Sequence, residues 1–510
     1  MKITKPLLVL CSITLVVLLV VQCKDGEGDK DAATTVTPVQ LPSNIVPGFK
    51  FPENADTINA WVNDPSFPNG YDSLKVYQHA WGIWAGLTEP TKQTYAGDNL
   101  LVFETWLGLN DIYELVKDGK TDGGCEGTAK RQGRAMLTRP KQLEHAEQFA
   151  TVNASKLIAE GKISAVKKQA VPKTFTEENI GFWVTVSYSP DAACYATKNQ
   201  ILKQSVINKY YTDGGLGKIP DFPNTSITIK PTYMIFHDTT KVLMKMPAWI
   251  TAPNPADSNF FGNAQYCVYI DRDNKQPANK KVVPIPVNDS LPEDIKKATC
   301  NLNDFIHFRV DQKMASFMNS QDSVQGMNNS KNAYGKAKAG EMAVLVAMHV
   351  TSKEITNWTW QTFYWAADPD NPGSPSSLLA ARCRPDKYLK GAAAHYAANA
   401  AYVMTTPNNS SSKTAGSMFG YNPYLEGGFG PTTFGITNNL NPTYQYGTQT
   451  NCMSCHAMAV ASPHGQYTTD QFVNLKEDSL FRNEVSLDFA WSIQTGLIKD
   501  TIPYWKFKKK

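Results

Sequence analysis

Residues 342–353 read MAVLVAMHVTSK and residues 358–366 read WTWQTFYWA. Both stretches are rich in aliphatic, β-branched and aromatic side chains, a composition typical of neighbouring strands. Five further stretches between about 177 and 367 share this alternating or continuously apolar pattern: GFWVTVSYS, SITIKPTYMIF, VLMKMPAWI, YCVYIDR and FIHFRV. Clusters of Pro, Asn, Asp and Gly separate them. The sequence therefore predicts a mainly antiparallel, sandwich-like β-rich domain over 177–384, interrupted by a helix around 198–211.

Helical patterns lie on both sides of these strands. Before them, residues 70–87 and 97–119 repeat apolar side chains at intervals of three and four, which predicts a helical region over 45–176. After them, the alanine-rich stretch YLKGAAAHYAANAAYVM predicts a helix within a mostly helical segment, 385–510. The predicted fold class is therefore α+β.

Composition indicates a large globular chain. Its 510 residues are 42% hydrophobic and 19% charged, which is enough apolar material to bury a core. The net charge is +4, and the basic residues are scattered apart from the last few lysines. Nucleic-acid binding needs clustered basic charge, so no nucleic-acid partner is expected.

The first residues predict export. Residues 1–22 hold two lysines and then an apolar run, the pattern of a signal peptide. Cys23 ends the run and resembles the lipidated cysteine of a bacterial lipoprotein, which would anchor the chain to a membrane through an N-terminal lipid. Residues 23–44 are polar and predict a flexible tether. We expect a location in the periplasm or at the outer membrane or cell surface; simple secretion and an uncleaved anchor are the alternatives.

A short motif near the C-terminus carries the chemistry. Residues 452–456 read Cys-Met-Ser-Cys-His, the attachment pattern of c-type haem. Cys452 and Cys455 lie one helical turn apart and would form thioethers with the porphyrin, while His456 would be the proximal ligand of the iron. The alternatives are a plain disulfide, a zinc site and a redox dithiol. The sequence offers no second Cys-x-x-Cys pair for zinc, so one covalent haem c is the predicted cofactor.

The sixth iron ligand stays open, because no methionine follows Met458. An iron site without a protein ligand in that position is one alternative. The candidate side chains are His464, His395, Met404, Met418 and His349.

Other side chains have two interpretations each. The tryptophans Trp358, Trp360 and Trp365 fit a sheet core, a haem edge, an electron path or a sugar-binding face. Glu426 fits a loop-ordering role or a haem contact. Arg382 and Arg384 fit a solvated turn or a pair of propionate partners.

Five cysteines remain beyond the signal region, Cys23 and the motif. An oxidising compartment permits disulfides among them. Cys267 and Cys300 flank a polar loop and are one candidate pair, but the pairing stays open, and at least one of the five remains unpaired because the number is odd. The five are Cys125, Cys194, Cys267, Cys300 and Cys383.

Several motifs together resemble a family of large bacterial monohaem proteins, the cytochrome c family proteins. They are AWGIWAGLTEP, LVFETWLGL, ITIKPTYMIF, AVLVAMHVTSK, NWTWQTFYW, DPDNP, YNPYLEGGF, NCMSCHAMA and LDFAWSIQ. The resemblance spans most of the chain after the tether. It implies haem attachment at Cys452 and Cys455 with His456 as proximal ligand, and it implies no catalytic residues.

Three functions are consistent with these features. The first is electron transfer by a lipid-anchored monohaem cytochrome with an unknown redox partner. The second is a haem-dependent oxidoreductase whose β-rich region holds a substrate. The third is a cell-surface binding module with an accessory haem.

Overall fold

The computed structural model describes residues 35–139, 182–236, 242–251, 266–275, 282–284, 300–324, 336–408, 415–428 and 446–507. The predicted signal peptide 1–22, the lipidation site Cys23 and residues 24–34 of the tether lie outside this part of the chain. Within it, no helix is long and apolar enough to cross a membrane.

The fold is α+β, as predicted. The strands are, in chain order, β1 (Thr35–Val36), β2 (Pro90–Tyr95), β3 (Asp98–Leu101), β4 (Leu107–Gly108), β5 (Arg131–Gln132), β6 (Phe182–Val184), β7 (Ser187–Tyr188), β8 (Gly217–Lys218), β9 (Ile227–Phe236), β10 (Leu243–Pro247), β11 (Tyr266–Asp271), β12 (Val283–Pro284), β13 (Cys300–Asn301), β14 (His307–Arg309), β15 (Met342–Ser352), β16 (Thr359–Trp365), β17 (Tyr396–Ala400), β18 (Thr405–Thr406), β19 (Gly416–Ser417) and β20 (Val485–Ser486). The α-helices are α1 (Ala55–Trp61), α2 (Ser73–Leu87), α3 (Val102–Thr105), α4 (Leu109–Lys117), α5 (Pro190–Lys198), α6 (Gln204–Ile207), α7 (Gln312–Val324), α8 (Leu378–Arg382), α9 (Cys452–Ala457), α10 (Asp478–Phe481) and α11 (Trp491–Thr495).

An eight-stranded antiparallel sheet forms the centre of the molecule. Its main order is β17-β16-β15-β9-β7-β4, with β14 also paired to β15 and β6 also paired to β9. The sheet takes strands from each of the three predicted ranges 45–176, 177–384 and 385–510. A separate four-stranded sheet contains β10, β11, β12 and β13. The remaining strands form two-stranded pairs, which are β1 with β5, β2 with β3, β8 with β20 and β18 with β19.

The register of the central strands decides which side chains share a face. His349 of β15 lies opposite Lys230 of β9 and opposite Thr362 of β16, and Thr351 lies opposite Trp360. Directly paired residues, and residues two apart on one strand, point to the same side of a sheet. Lys230, His349 and Trp360 therefore share one face.

Helix α2 covers the opposite face of the sheet. Its Trp84 stacks on Phe363 of β16 with ring centroids 4.5 Å apart, and the Trp84 indole N–H donates to the Ala393 carbonyl at 3.0 Å. Gly82 lets this helix approach the chain ahead of it, because a Cβ there would meet the Phe49 ring at 2.1 Å. The prediction of a helix over 70–87 is confirmed for Ser73–Leu87.

Three helix predictions need correction. Residues 97–119 form β3, α3, β4 and α4 in place of one helix, since Leu107–Gly108 pairs with β7. The predicted helix over 198–211 is interrupted between α5 and α6, where Gln200 has a left-handed backbone with φ of 53°. The alanine-rich stretch forms a short 3-10 helix and then β17, which pairs with β16 along the sheet edge. Tertiary pairing outweighs the helix propensity of alanine there.

Candidate functional site

The Cys-Met-Ser-Cys-His motif forms the short helix α9. Its N-cap Asn451 is completely buried, and its side-chain oxygen accepts from the Ser454 N–H at 3.1 Å. The Asn451 amide group donates to three carbonyls, those of Val403, Met404 and Met418, at 3.0, 3.1 and 2.6 Å. This one side chain therefore both begins the helix and fixes it to the preceding loops.

The two thiols of the motif are free. Cys452 and Cys455 lie three residues apart on α9, so both project from one turn, and neither is in a disulfide. The Cys452 thiol donates to the Gly420 carbonyl at 3.0 Å. Burial raises the pKa of Cys452 well above its ordinary value and that of Cys455 to about 12. A redox dithiol works through a thiolate, and burial disfavours that form of both cysteines here.

His456 is held in one orientation. Its Nδ1 lies 2.9 Å from the Phe489 carbonyl oxygen, so Nδ1–H is the donor and Nε2 keeps its lone pair. Trp360 packs on the imidazole with ring centroids 4.2 Å apart. Burial lowers the pKa of His456 to about 4, although the Phe489 carbonyl opposes that shift. A neutral imidazole with Nδ1 bonded to a backbone carbonyl is the usual state of a metal-binding histidine.

A cavity of about 480 Å³ lies beside His456. This volume is within the range of ligand and cofactor sites in proteins. Its aromatic lining includes Trp358, Trp360, Tyr467, Phe489 and Trp491. Its cationic or titratable lining includes Arg139, Lys230, His349 and His456. The sheet face that carries Lys230, His349 and Trp360 therefore forms one wall of the cavity.

His349, on this wall, is hydrogen-bonded to Glu426. His349 Nε2 lies 3.1 Å from Glu426 Oε1, and Glu426 Oε2 accepts from the Asn422 N–H at 2.7 Å. Burial alone would raise the pKa of Glu426, but His349 and the Asn422 N–H outweigh it, so the pKa is lowered. Burial lowers the pKa of Lys230 to about 8, with Glu426 opposing the shift. Glu426 is thus an ionised carboxylate that orients His349.

All five candidates for the sixth ligand lie in the described part of the chain, and only one of them lies at the cavity. His349 lines the cavity that also holds His456, and the other four do not. His464 lies in an exposed turn, and Met404 Sδ accepts from the Val473 N–H at 3.3 Å. Met418 packs against the core, with its carbonyl bonded to Asn451.

The fifth candidate, His395, is remote from the motif. It precedes Tyr396, which pairs with Trp365, and its Nε2 lies 3.6 Å from Asp304. Trp365 is five residues from Trp360 along β16, a span of roughly 17 Å at about 3.3 Å per residue. His395 therefore lies far along the sheet from His456.

The tryptophans and arginines for which the sequence allowed two interpretations also differ in whether they lie at the cavity. Trp360 contacts His456 and Trp358 lines the cavity, whereas Trp365 is core and stacks on Phe305 at 4.3 Å. Arg384 is paired with Asp370 and Asp386 at 2.5 Å each, and Arg382 is exposed. Arg382 is the last residue of α8 and the Arg384 side chain is 6% exposed, and neither lines the cavity.

Two cationic cavity residues, Arg139 and Lys230, have no counterpart in the sequence predictions. The Arg139 guanidinium lies 4.0 Å above the Trp183 ring. One feature of the sequence could have marked Lys230 as a site residue: it is the charged residue within the strand pattern ITIKPTYMIF. No local pattern marks Arg139, since Trp183 is distant in sequence.

The candidate pair Cys267 and Cys300 does not form a disulfide. Cys300 lies beside β11 opposite Ile270, three residues from Cys267, which places the two cysteines about 10 Å apart along the strand. Both are buried free thiols, and Cys383 is also free. The disulfide joins Cys125 to Cys194.

The motif residues fit a covalently attached haem: two free thiols share one helical turn, and an oriented neutral histidine follows them. An aromatic cavity adjoins that histidine, and Cys452 and Cys455 are not among its lining residues. Among the described side chains, no group of three or more His, Cys, Asp or Glu is arranged to hold a metal ion, so a zinc site has no ligand set there. The porphyrin itself supplies four ligands to a haem iron.

Comparisons of the chain with protein families, with curated proteins and with solved structures give no match. The resemblance to the cytochrome c family proteins therefore stays a prediction that rests on the motifs quoted above.

Proposed function

We propose that the protein is an exported monohaem c-type cytochrome that acts in electron transfer. Haem c would be attached to Cys452 and Cys455, with His456 as the proximal ligand. The observation that carries the proposal is the geometry of α9: two free thiols on one turn, followed by a histidine whose Nδ1 is 2.9 Å from the Phe489 carbonyl oxygen.

When bound, the haem supplies one-electron redox chemistry. The chain's own residues would then set its environment. Phe489 fixes the tautomer of His456 and increases the basicity of Nε2, and Trp360 blocks rotation of the imidazole. Arg139 and Lys230 are the cationic side chains of the cavity and suit the propionates of the porphyrin.

Export and lipid anchoring at Cys23 belong to the same proposal. The Cys125–Cys194 disulfide supports a location outside the cytoplasm, since structural disulfides persist in oxidising compartments. Bacterial attachment of haem c also takes place outside the cytoplasmic membrane.

The proposal is tested by retention of haem after unfolding. The full chain would be expressed with a c-type maturation system, denatured and extracted with acidified organic solvent. Haem that stays with the polypeptide is the expected result, and the same chain made without the maturation system is the control. Complete extraction of the haem would contradict covalent attachment.

A haem-dependent oxidoreductase is the second candidate, because the cavity beside His456 also contains His349 with its partner Glu426. In the electron-transfer proposal His349 would be the sixth ligand of the iron, with Glu426 orienting the imidazole through Nε2. In an oxidoreductase His349 would instead serve as an acid–base group facing an open iron.

Carbon monoxide distinguishes these two roles of His349. We expect the reduced wild-type protein to show no spectral change with carbon monoxide, because His456 and His349 would both hold the iron. His349→Ala should open one position and bind the gas readily. His395→Ala removes a histidine outside the cavity and should behave as wild type. Ready binding by the wild-type protein would favour the oxidoreductase.

A further inference from the structure

The carbonyl that holds His456 belongs to an unusual backbone segment. Asp488 and Phe489 both have left-handed conformations, with φ of 48° and 69°. Neither is glycine. Asp tolerates this conformation better than most residues, but for the bulky Phe489 it is unfavourable unless the surroundings enforce it. The consequence of this tandem turn is that the Phe489 carbonyl oxygen lies 2.9 Å from His456 Nδ1.

A buried ion pair enforces this conformation. Asp488 has a side-chain exposure of 0% and Lys353 one of 5%, and Lys353 Nζ lies 2.7 Å from Asp488 Oδ1. The second carboxylate oxygen of Asp488 accepts from the Phe222 N–H at 3.1 Å. The more exposed Lys218 lies 3.5 Å from Asp488 Oδ1.

The lysine is itself anchored to the central sheet. Lys353 directly follows β15, and its ammonium also donates to the Thr356 carbonyl at 2.8 Å. Lys353 also contacts Asp221, whose side chain is 54% exposed. The end of β15 is thus linked through Lys353 and Asp488 to Phe489, and through the Phe489 carbonyl to His456.

We propose that Lys353 and Asp488 are positioning residues for the axial histidine: they fix the Phe489 carbonyl as acceptor and thereby tune the iron. This inference rests on the proposed haem function. A firm hydrogen bond to Nδ1–H makes the imidazole a stronger donor and favours oxidised iron, so its loss should raise the midpoint potential.

Two substitutions separate positioning from simple charge effects. Removal of a carboxylate near iron raises the midpoint potential, and removal of an ammonium lowers it, if charge alone acts. Loss of positioning raises the potential in both variants. We therefore expect Asp488→Asn and Lys353→Met to shift the midpoint in the same, positive direction. Lys353→Arg keeps the charge but not the geometry of the ammonium, so it should shift the midpoint less far in that direction.

The Nδ1 proton of His456 gives a second readout. Its NMR resonance should exchange slowly with solvent in the wild-type protein and faster in Lys353→Met and Asp488→Asn. Asp370→Asn is the matched control, because it removes the exposed carboxylate partner of a different buried cation, Arg384, outside the cavity, and should leave the exchange unchanged.

The outcomes distinguish this inference from the proposed function. Absence of covalent haem in the wild-type protein overturns both. A full complement of covalent haem in each variant, with a lowered midpoint in Lys353→Met and unchanged proton exchange, overturns the positioning role alone. If the two charge-removing variants do not fold, Lys353→Arg still decides: an unchanged midpoint and exchange rate would count against positioning, and a positive shift with faster exchange would support it.

Discussion

Replacement of both Cys452 and Cys455 by alanine is expected to abolish covalent haem attachment completely. The two thiols are free, project from one turn of α9 and are the attachment residues in our proposal. Either single variant keeps one thiol and should keep haem through one thioether. The haem content of the denatured protein, measured from its pyridine complex, checks this expectation.

Cys383→Ala is the matched control for these variants. It removes another free, partly buried thiol that lies on the surface turn after α8. Its haem content should equal that of the wild-type protein. Covalent haem in the double variant, or its loss in Cys383→Ala, would contradict attachment at the motif.

Removal of the Cys125–Cys194 disulfide is expected to cause the largest loss of stability. The bond closes a loop with a sequence separation of 69, for which the lost chain entropy of the unfolded state is worth about 4 kcal/mol. It also joins the loop after α4 to α5, where the chains approach closely: a Cβ at Gly124 would lie 2.5 Å from the Ala193 carbonyl oxygen.

Denaturant unfolding of the double variant Cys125→Ser, Cys194→Ser measures this effect. The free energy of unfolding should fall by about 4 kcal/mol. A reducing agent should lower the stability of the wild-type protein and leave that of the variant unchanged. Equal stability of the two proteins under oxidising conditions would show that the disulfide does not constrain the unfolded chain.

The sequence correctly predicts those strands and motifs that depend only on residues close together in the chain. The strands β15 and β16 are continuous apolar runs, and both were predicted from composition and periodicity. The attachment motif is equally local, since Cys452, Cys455 and His456 lie within five residues. The alanine-rich stretch was mispredicted because the pairing of β17 with β16 depends on a distant partner.

The rest of the site depends on contacts between distant segments. The carbonyl that orients His456 lies 33 residues away at Phe489, and Lys353 is 135 residues from Asp488. Asp488 and Phe489 are not residues that signal a left-handed turn as glycine does. The true disulfide likewise joins cysteines that no spacing rule pairs.

The large size of the chain has a structural explanation within this proposal. Lys230, His349 and Trp360 come from three adjacent strands of the central sheet and form a wall of the cavity beside His456. The same sheet carries Lys353 at the end of β15. The β-rich region thus supplies the surroundings of the motif, which α9 alone could not provide.

Mass spectrometry of the peptide that contains residues 452–456 tests the central claim most directly. The protein would be matured with a c-type system, denatured and digested, and its peptides compared with the unmodified sequence. We predict that this peptide carries one haem joined through both Cys452 and Cys455. An unmodified peptide, or one in which Cys452 and Cys455 form a disulfide, would contradict the assignment.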